Sequence, residues 1–475
     1  MAATDQKEKL KLVLTEEEAQ AVFLQGKEAV VFYLLSLSKR IKDLEGRVFT
    51  RSSSTPSGMI PPYEKPSGKK RPRKPGRKAG HPGSRRASPL EIDRHEDHRL
   101  EYCPNCHNPV DGRKPVRKRK RVIEDLRESE PEAVEHRIHG SWCPVCKKVV
   151  EPVVVDALPK AAVGHRAVAL TAWLHYGLGI TLSQIVEVLN HHFHFQVSPG
   201  GLMQMWYRTR AIFDDWYEQI AEEARGSAYL HGDESGWRVN GETRWLWCFT
   251  NKVLTYYQID RSRGSPALYR FFGEEFDGCL ISDFWRAYDL IRAGSRQYCL
   301  THLLREIHDV NARNESEQWR GFSKKLKRLI ADAFRLCSRK ETLSEKEFRS
   351  RNSRLDSRLE DLIFRHGTED PDVKRLAERL NRSMDGIFTF LDQPEVEPTN
   401  NRAEREIRPA VLIRKTSFQN RSEKGTKCQA VFMSIYRTLK LRGHDPIETM
   451  VEALKEYVRS SSLPPLPPPK GRSPP

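Results

Sequence analysis

Between residues 226 and 302 the chain changes texture, and that change limits the possible folds more than any other feature. Ala228-Tyr229-Leu230-His231-Gly232 runs into Asp233, Arg244-Trp245-Leu246-Trp247-Cys248-Phe249-Thr250 is aromatic and apolar, and Val253 to Ile259 follows a short Asn251-Lys252 turn. Aromatic and β-branched runs bounded by turn residues are strand signals. Three strands joined by short turns are expected, the last two as a hairpin. Ser265 to Phe272 reads as a helix, and Cys279-Leu280-Ile281-Ser282 as a short buried strand ending at Asp283. A further helix and a strand over Gln297-Tyr298-Cys299-Leu300 follow.

Three antiparallel strands, a helix, then strands alternating with helices is the order of a ribonuclease-H-like mixed sheet, an α/β fold. In that topology the first and fourth strands are neighbours. Asp233 and Asp283, 50 residues apart, then stand side by side at strand ends. A single strand-end Asp is usually a turn residue, but a pair repels itself unless a cation shares it. Mg²⁺ (or Mn²⁺), which prefers hard oxygen ligands, suits the pair. Two such metals ~4 Å apart would clamp the attacking and leaving oxygens of a phosphodiester displacement. A third carboxylate on a helix crossing that end would complete the site, and Glu404 is the candidate. Glu234 is expected to face away from Asp233, with substitution as a ligand left open.

Around residues 226–302 and 396–460, which form this catalytic domain, the chain divides by texture. In residues 1–50, Phe23, Val30, Leu34, Leu37, Ile41 and Leu44 form an apolar seam. The last five are spaced four, three, four, three, the pattern of a coiled coil and equally of a helix packed on the body. Residues 51–100, rich in Ser, Pro and Gly, cannot bury a core and read as a flexible basic arm. Ten basic residues between Lys65 and Arg86, among them Lys69, Lys70, Arg71, Arg73, Lys74, Arg77 and Lys78, stand there without an acid. Seven more, including Arg117, Lys118, Arg119 and Lys120, lie between Arg113 and Arg121. The two blocks match the whole net charge of +17. Concentrated cations release counterions on meeting a polyanion, so both are expected to bind nucleic acid; the plainer reading is a solvated linker.

Residues 101–155 hold Cys103-Pro-Asn-Cys106 and Cys143-Pro-Val-Cys146. Two such knuckles can offer four thiolates to one structural Zn²⁺. Nine thinly spread cysteines fit a reducing compartment with a metal site better than a disulfide framework. No run approaches the ~20 apolar residues of a spanning helix, and the first residues lack the layout of a secretory signal. A cytoplasmic protein with no membrane contact is expected. Residues 156–225 read as three helices, with Thr181 and Ser198-Pro199 as starts. This helix-turn-helix-like segment suits DNA reading and a generic bundle equally. His191, His192 and His194 read as a surface cluster. Residues 303–395 are amphipathic helix, residues 428–460 are again helical, and Asn400 or Asn401 caps a helix carrying Glu404. Residues 461–475 are a Pro-rich tail with no core of its own.

His231-Gly-Asp-Glu-Ser-Gly-Trp, Trp245-Leu-Trp, Ile281-Ser-Asp-Phe-Trp-Arg-Ala-Tyr, Cys299-Leu-Thr-His302 and Asn400-Asn-Arg-Ala-Glu-Arg-Glu-Ile-Arg-Pro resemble the transposases of the insertion-sequence-66 family. The order of parts matches as well, from about residue 20 to 455, including Gly80-His81-Pro82-Gly83 in the arm. The resemblance implies that Asp233, Asp283 and Glu404 are the family's DDE triad and that residues 303–395 are an insertion before the Glu. It further implies DNA hydrolysis at element ends and strand transfer into target DNA, at least a dimer, helper proteins from the same element, and a bacterial, nucleoid-associated setting. Ser235-Gly236 stands where Thr-Pro is expected, which bears on substrate contacts more than on metal binding.

Among the neighbours, Arg402, Arg405 and Arg408 suit phosphate positioning, with a salt-bridged surface as the alternative. Cys299 and His302 have metal-like spacing, though packing and support of the site fit them better. Trp237 and Trp285 read as core. Two other readings compete: a catalytically silent zinc-containing DNA-binding protein derived from such an element, and a stand-alone nuclease. The two knuckles generate a direct expectation. Metal analysis of the full chain should give one zinc, lost on Cys143→Ser, and residues 101–155 should become protease-sensitive in chelator.

Overall fold

The computed structural model describes residues 91–109 apart from 97 and 99, 122–123, 131–471 apart from 366–368 and 418, and scattered helical positions between 20 and 35. Phe23, Val30 and Leu34 are helical, whereas Leu37, Ile41 and Leu44 lie outside the described residues, as does the basic arm up to residue 90 and the block from 113 to 121. Among the described residues no helix is long and apolar enough to cross a membrane.

Strands β1 (Ser141–Cys143) and β2 (Lys148–Val150) form a small antiparallel hairpin. Helix α1 (His165–Ala172) continues into a π-helical turn at Trp173–Gly177. Helix α2 (Leu182–His192) starts at a capping box: Gln184 N–H donates to Thr181 Oγ1 and Thr181 N–H to Gln184 Oε1. Helix α3 (Pro199–Arg225) opens on Ser198 with proline in its first turn. Trp206, Phe213, Trp216 and Ile220 of α3 are wholly buried, and Trp206 Nε1 donates to Thr171 Oγ1 of α1 at 3.1 Å. These three helices share one hydrophobic core with the central sheet.

That sheet holds β3 (Tyr229–Val239), β4 (Glu242–Thr250), β5 (Thr255–Asp260), β6 (Glu275–Ser282) and β7 (Arg292–Tyr298), in the order β5-β4-β3-β6-β7. Strands β3, β4 and β5 pair antiparallel, and β3 with β6 and β6 with β7 pair parallel. The first and fourth strands of this sheet are neighbours, as expected. Helix α4 (Ser265–Phe272) joins β5 to β6 with the expected bounds. Strand β3 is longer than the sequence suggested and runs straight through Asp233, turning at Asn240-Gly241, both with positive φ (49° and 80°). The helix expected between Asp283 and Gln297 is a single 3₁₀ turn, Tyr288–Leu290. The last strand ends at Tyr298, and Leu300 opens a helix instead of closing the strand.

Helices α5 (Leu300–Asn311), α6 (Glu317–Ser338), α7 (Glu345–Phe364), α8 (Pro371–Arg382) and the single turn α9 (Thr389–Asp392) follow, with no strand among the described residues. They close a second core that includes Cys279 and Ile281 of β6, while Leu280 between them faces the first core. This alternation, dictated by the period of two along a strand, makes the sheet the middle layer between two helical masses. Helices α10 (Asn401–Ser417), α11 (Glu423–Leu441) and α12 (Pro446–Ser460) complete the fold. The stretch 428–460, expected to be helical, is so in two pieces: the first ends before Gly443, which sits at φ +78°, and the second starts behind the Asp445 cap.

The Pro-rich tail, expected to have no core of its own, is docked on the core of the body. Leu466 is buried, Trp216 Nε1 donates to the Pro464 carbonyl at 2.6 Å, and Arg442 Nη1 to that of Pro467 at 2.7 Å. Buried indole and guanidinium groups need acceptors, and Pro carbonyls, freed from any ladder, supply them. Truncation after Ser460 should therefore lower unfolding stability by about 2–4 kcal/mol, the burial of one leucine plus two hydrogen bonds. Urea titration checks this, and an unchanged midpoint would mean the tail carries no load.

Candidate active site

The parallel pairing of β3 with β6 sets the site. His231 lies opposite Ile281 at the end of this pairing, and Asp233 and Asp283, two residues on, are close enough for their charges to interact. Strand β6 stops there, and Asp283 Oδ1 accepts the Trp285 N–H at 2.8 Å, which turns the chain away. Strand β3 continues beside β4 until Asn420 bridges its other edge at Val239, leaving both acids partly exposed at the break in the sheet. Asp233 is held well above the usual carboxylate range by burial, then by the charges of Glu234 and Asp283. Burial also raises Asp283.

Glu404 arrives on the first turn of α10, and Asn400 fixes that helix. Its Nδ2 donates to the Gly232 carbonyl at 2.7 Å, its Oδ1 faces His231 Nδ1 at 3.2 Å, and its backbone N–H donates to Cys299 Sγ at 3.1 Å. The expectation that Asn400 acts as a helix cap misses this: its side chain joins α10 to β3. Further along, Arg414 donates to Ser235 Oγ at 2.9 Å and to the Gly236 carbonyl. Ser235-Gly236 thus serves as the seat of a buried arginine. Asn420, just past α10, accepts from Trp237 Nε1 at 2.8 Å.

His302 on α5 stands among the three acids. Its Nε2 is 3.7 Å from Glu404 Oε1. Burial alone would lower its pKa, but Cys299 beside it, Asp283 and Glu404 outweigh that and lift it to about 9, so the ring is charged at neutral pH. Cys299 is wholly buried, and although burial alone would raise its thiol, the His302 contact holds it below its ordinary value. One turn on, Arg305 points both Nη atoms at the Glu404 carboxylate, at 3.3 and 3.4 Å. Arg402 instead turns to Glu397, at 2.8 Å through Nη2. Arg405 and Arg408 are exposed and, with Arg305, Thr399, Asn401, Glu397 and Glu404, line a cleft of about 360 Å³.

Glu234 points to the other side of β3, as alternation requires, into a buried polar pocket. Tyr288 O–H donates to its Oε2 at 3.0 Å, and Arg263, stacked over Trp245 and Trp285, to its Oε1 at 3.1 Å. Gly232 makes room for that tyrosine: a Cβ there would fall 2.9 Å from Tyr288 Cε1. Trp237 is core as expected, and Trp285 is a partly buried shelf for Arg263. Sequence reasoning passed over His231, Arg263, Tyr288 and Arg305. Spacing offered a signal for two: His231 shares a strand face with Asp233, and Arg305 a helix face with His302.

The cysteine knuckles are alike. Cys103 N–H donates to the Asn108 carbonyl at 2.8 Å and Cys146 N–H approaches Cys143 Sγ at 3.4 Å. His107 and Lys147, each directly after the second cysteine of its pair, both have positive φ (56° and 50°). Backbone N–H groups of Cys106 and Cys146 lower the thiols of Cys103 and Cys143. Among the described residues no group of three or more His, Cys, Asp or Glu side chains converges as a bound ion would require. The donor chemistry nevertheless fits at both places: lowered thiols suit Zn²⁺, and carboxylates raised by burial and mutual repulsion suit a hard divalent cation.

The Glu234 pocket has a pH signature. Burial, then Asp283, outweigh Arg263 and Tyr288 and lift Glu234 to about 7. A raised acid is protonated in the folded chain while already ionised in the unfolded one, so stability falls as pH rises from about 4.5 to about 7. Glu234→Gln should flatten this slope by about 3 kcal/mol, measured by chemical unfolding in chelator at pH 5 and 7.5. Parallel slopes would show that Glu234 titrates normally.

The transposase IS66 family model matches residues 160–428, more than half of the chain. An uncharacterized protein of Sinorhizobium fredii (strain NBRC 101917 / NGR234), y4qI, is 24% identical over 244 residues, covering 44% of this chain and 43% of that one. The chain thus spans under half the length of that relative. The family model covers all five strands of the central sheet, both sheet-end aspartates and Glu404, and on that match the chain belongs to the IS66 family of transposases.

Proposed function

We propose that the protein is a DDE transposase with a ribonuclease-H-like catalytic domain, and that Asp233, Asp283 and Glu404 are its catalytic acids. One observation carries the reading. Asp233 on β3 and Asp283 just past the end of the neighbouring parallel strand β6 act on each other electrostatically, and a helix bound to β3 delivers a glutamate beside His302, whose charge acts on both aspartates. The strand order β5-β4-β3-β6-β7 supports the fold assignment. The three acids would hold Mg²⁺ or Mn²⁺, which when bound would supply positive charge for an in-line phosphodiester displacement. His302, charged and central, keeps Glu404 and the aspartates from repelling one another before the cation arrives.

Zn²⁺ would be held by Cys103, Cys106, Cys143 and Cys146 and would give residues 101–155 a fold too small to stand on apolar burial alone. Double-stranded DNA, as element ends and target, is the partner. Two ends require at least a dimer, and helper proteins of the element act with it. Lys69, Lys70, Arg71, Arg73, Lys74, Arg77, Lys78 and Arg117 to Lys120 would bind the backbone. The protein works on the cytoplasmic DNA of a bacterium.

Asp283→Asn tests the assignment, because it keeps the acceptor for the Trp285 N–H and removes only the charge. Nicking and strand transfer should fall by orders of magnitude. DNA binding should stay near wild type, and stability in chelator should hold or rise, since repulsion with Asp233 is relieved. Asp233→Asn and Glu404→Gln should act alike without adding, as members of one unit do. A wild type that binds DNA but never cuts under Mg²⁺ or Mn²⁺, helpers present, would establish the catalytically silent binding protein instead.

A further inference from the structure

The cleft beside Glu404 has a charge arrangement that the triad does not explain. Three arginines from two helices line it: Arg305 from α5 and Arg405 and Arg408 from α10. Arg405 and Arg408 are exposed and sit three residues apart on one face of α10; the charge of Arg405 acts on Glu397, which Arg402 already holds in a direct ion pair. The Thr399 hydroxyl and Asn401 amide add neutral hydrogen-bonding groups. Only Glu397 and Glu404 bring negative charge, and each already holds an arginine, Arg402 and Arg305 respectively. Three guanidinium groups against two glutamates, one of which also holds Arg402, leave the concave, solvated site with net positive charge, which favours an anion with several acceptor oxygens.

Arg305 differs from Arg402. Its side chain is 54% exposed, against 16% for Arg402, and its contacts to Glu404 are longer than those of Arg402 to Glu397. A half-exposed pair of this kind is worth about 0.2–1 kcal/mol, which a competing cation on Glu404 readily exceeds.

Resting on the assignment of Glu404 to the catalytic acids, we propose that Arg305, Arg405 and Arg408 form a subsite for a DNA backbone phosphodiester directly beside the cleavage site, and that Arg305 exchanges Glu404 for that phosphate when a divalent cation takes the acid. Arg402, committed to Glu397, has no part in it. Arg305 is thus a positioning residue that holds Glu404 in the resting chain and the substrate strand in the loaded one. The recognised chemistry is the phosphate and not the base, so the subsite is indifferent to sequence.

The test uses the full chain and two readouts besides cleavage. The first is binding of a fluorescent duplex of arbitrary sequence, by anisotropy over a salt series in chelator. Arg405→Gln with Arg408→Gln should lower the slope of log affinity against log salt by about 1–2, while Arg402→Gln leaves it unchanged. The second is Mn²⁺ binding without DNA, followed by electron paramagnetic resonance. Arg305→Gln should tighten Mn²⁺ about two- to fivefold, because its competitor for Glu404 is gone, yet weaken the duplex when its binding is measured with the divalent cation present. Arg305→Lys, which keeps the charge but not the fork, should restore most of the duplex affinity. Unchanged salt slope in the double variant, or Mn²⁺ binding loosened by Arg305→Gln, overturns the subsite while wild-type cleavage still upholds the enzyme. Loss of cleavage in the wild type itself overturns the enzyme assignment and the subsite with it.

Discussion

Helix α10 lies along strand β3, and the site depends on that contact. Asn400 holds the helix start at Gly232, Arg414 crosses to Ser235 and Gly236, and Asn420 takes the Trp237 indole N–H. These contacts follow β3 from just before Asp233 to beyond it. A helix fixed at one end pivots, and a small rotation moves a side chain on its first turn by more than the about 0.5 Å that a preorganised site tolerates. Fixing it at both ends removes that freedom. The hydrogen bonds are made to buried backbone carbonyls and amide oxygens, where an unmade partner is costly, so each is cooperative with the packing of the helix on the sheet.

The same contact explains how a helical mass of about ninety residues sits between the second aspartate and the glutamate without disturbing either. Residues 300 and 398 are joined by a backbone hydrogen bond, Leu300 N–H to the Pro398 carbonyl at 3.1 Å, and Asn400 closes on Cys299. The excursion leaves and returns at one point. Its helices build their own core, anchored on Cys279, Ile281 and Tyr298 of the sheet. Loop-closure entropy grows only slowly with length, so once the ends are clamped, the size of what lies between matters little to the geometry of the acids.

The parts of this arrangement that could be read from the sequence were those with a local cause. Alternation and turn residues marked β4, β5 and α4, and Thr181 and Ser198 marked helix starts, because each signal acts within a few residues. The aspartate pair was legible through topology, since neighbouring parallel strands put equivalent positions side by side. Contacts made at long range were not. Phe284 to Ile291 carries enough apolar residues to suggest a helix, but Tyr288 is drawn to Glu234 across the sheet and leaves only a 3₁₀ turn. Asn400 before a helix reads as a cap, and only β3 reveals the other use of its amide. The tail has two leucines and many prolines, too few for a core of its own, yet enough to cover Trp216.

Electrostatics at the site is a matter of graded commitment. Arg414 is buried with hydroxyl and carbonyl partners and no acid, so its place is structural and fixed. Arg402 and Glu397 form a pair that is largely shielded from water. Arg305 and Glu404, more exposed and farther apart, form the weakest link. Had Glu404 been paired as deeply as Glu306 is with Arg375 and Arg379 in the insertion, releasing it would leave a buried charge uncompensated, a cost of about 3–5 kcal/mol. Water at the mouth of the cleft keeps that cost small. The exposure of Arg305, and not that of Glu404, therefore sets the strength of the resting contact low, which the proposed change of partners requires.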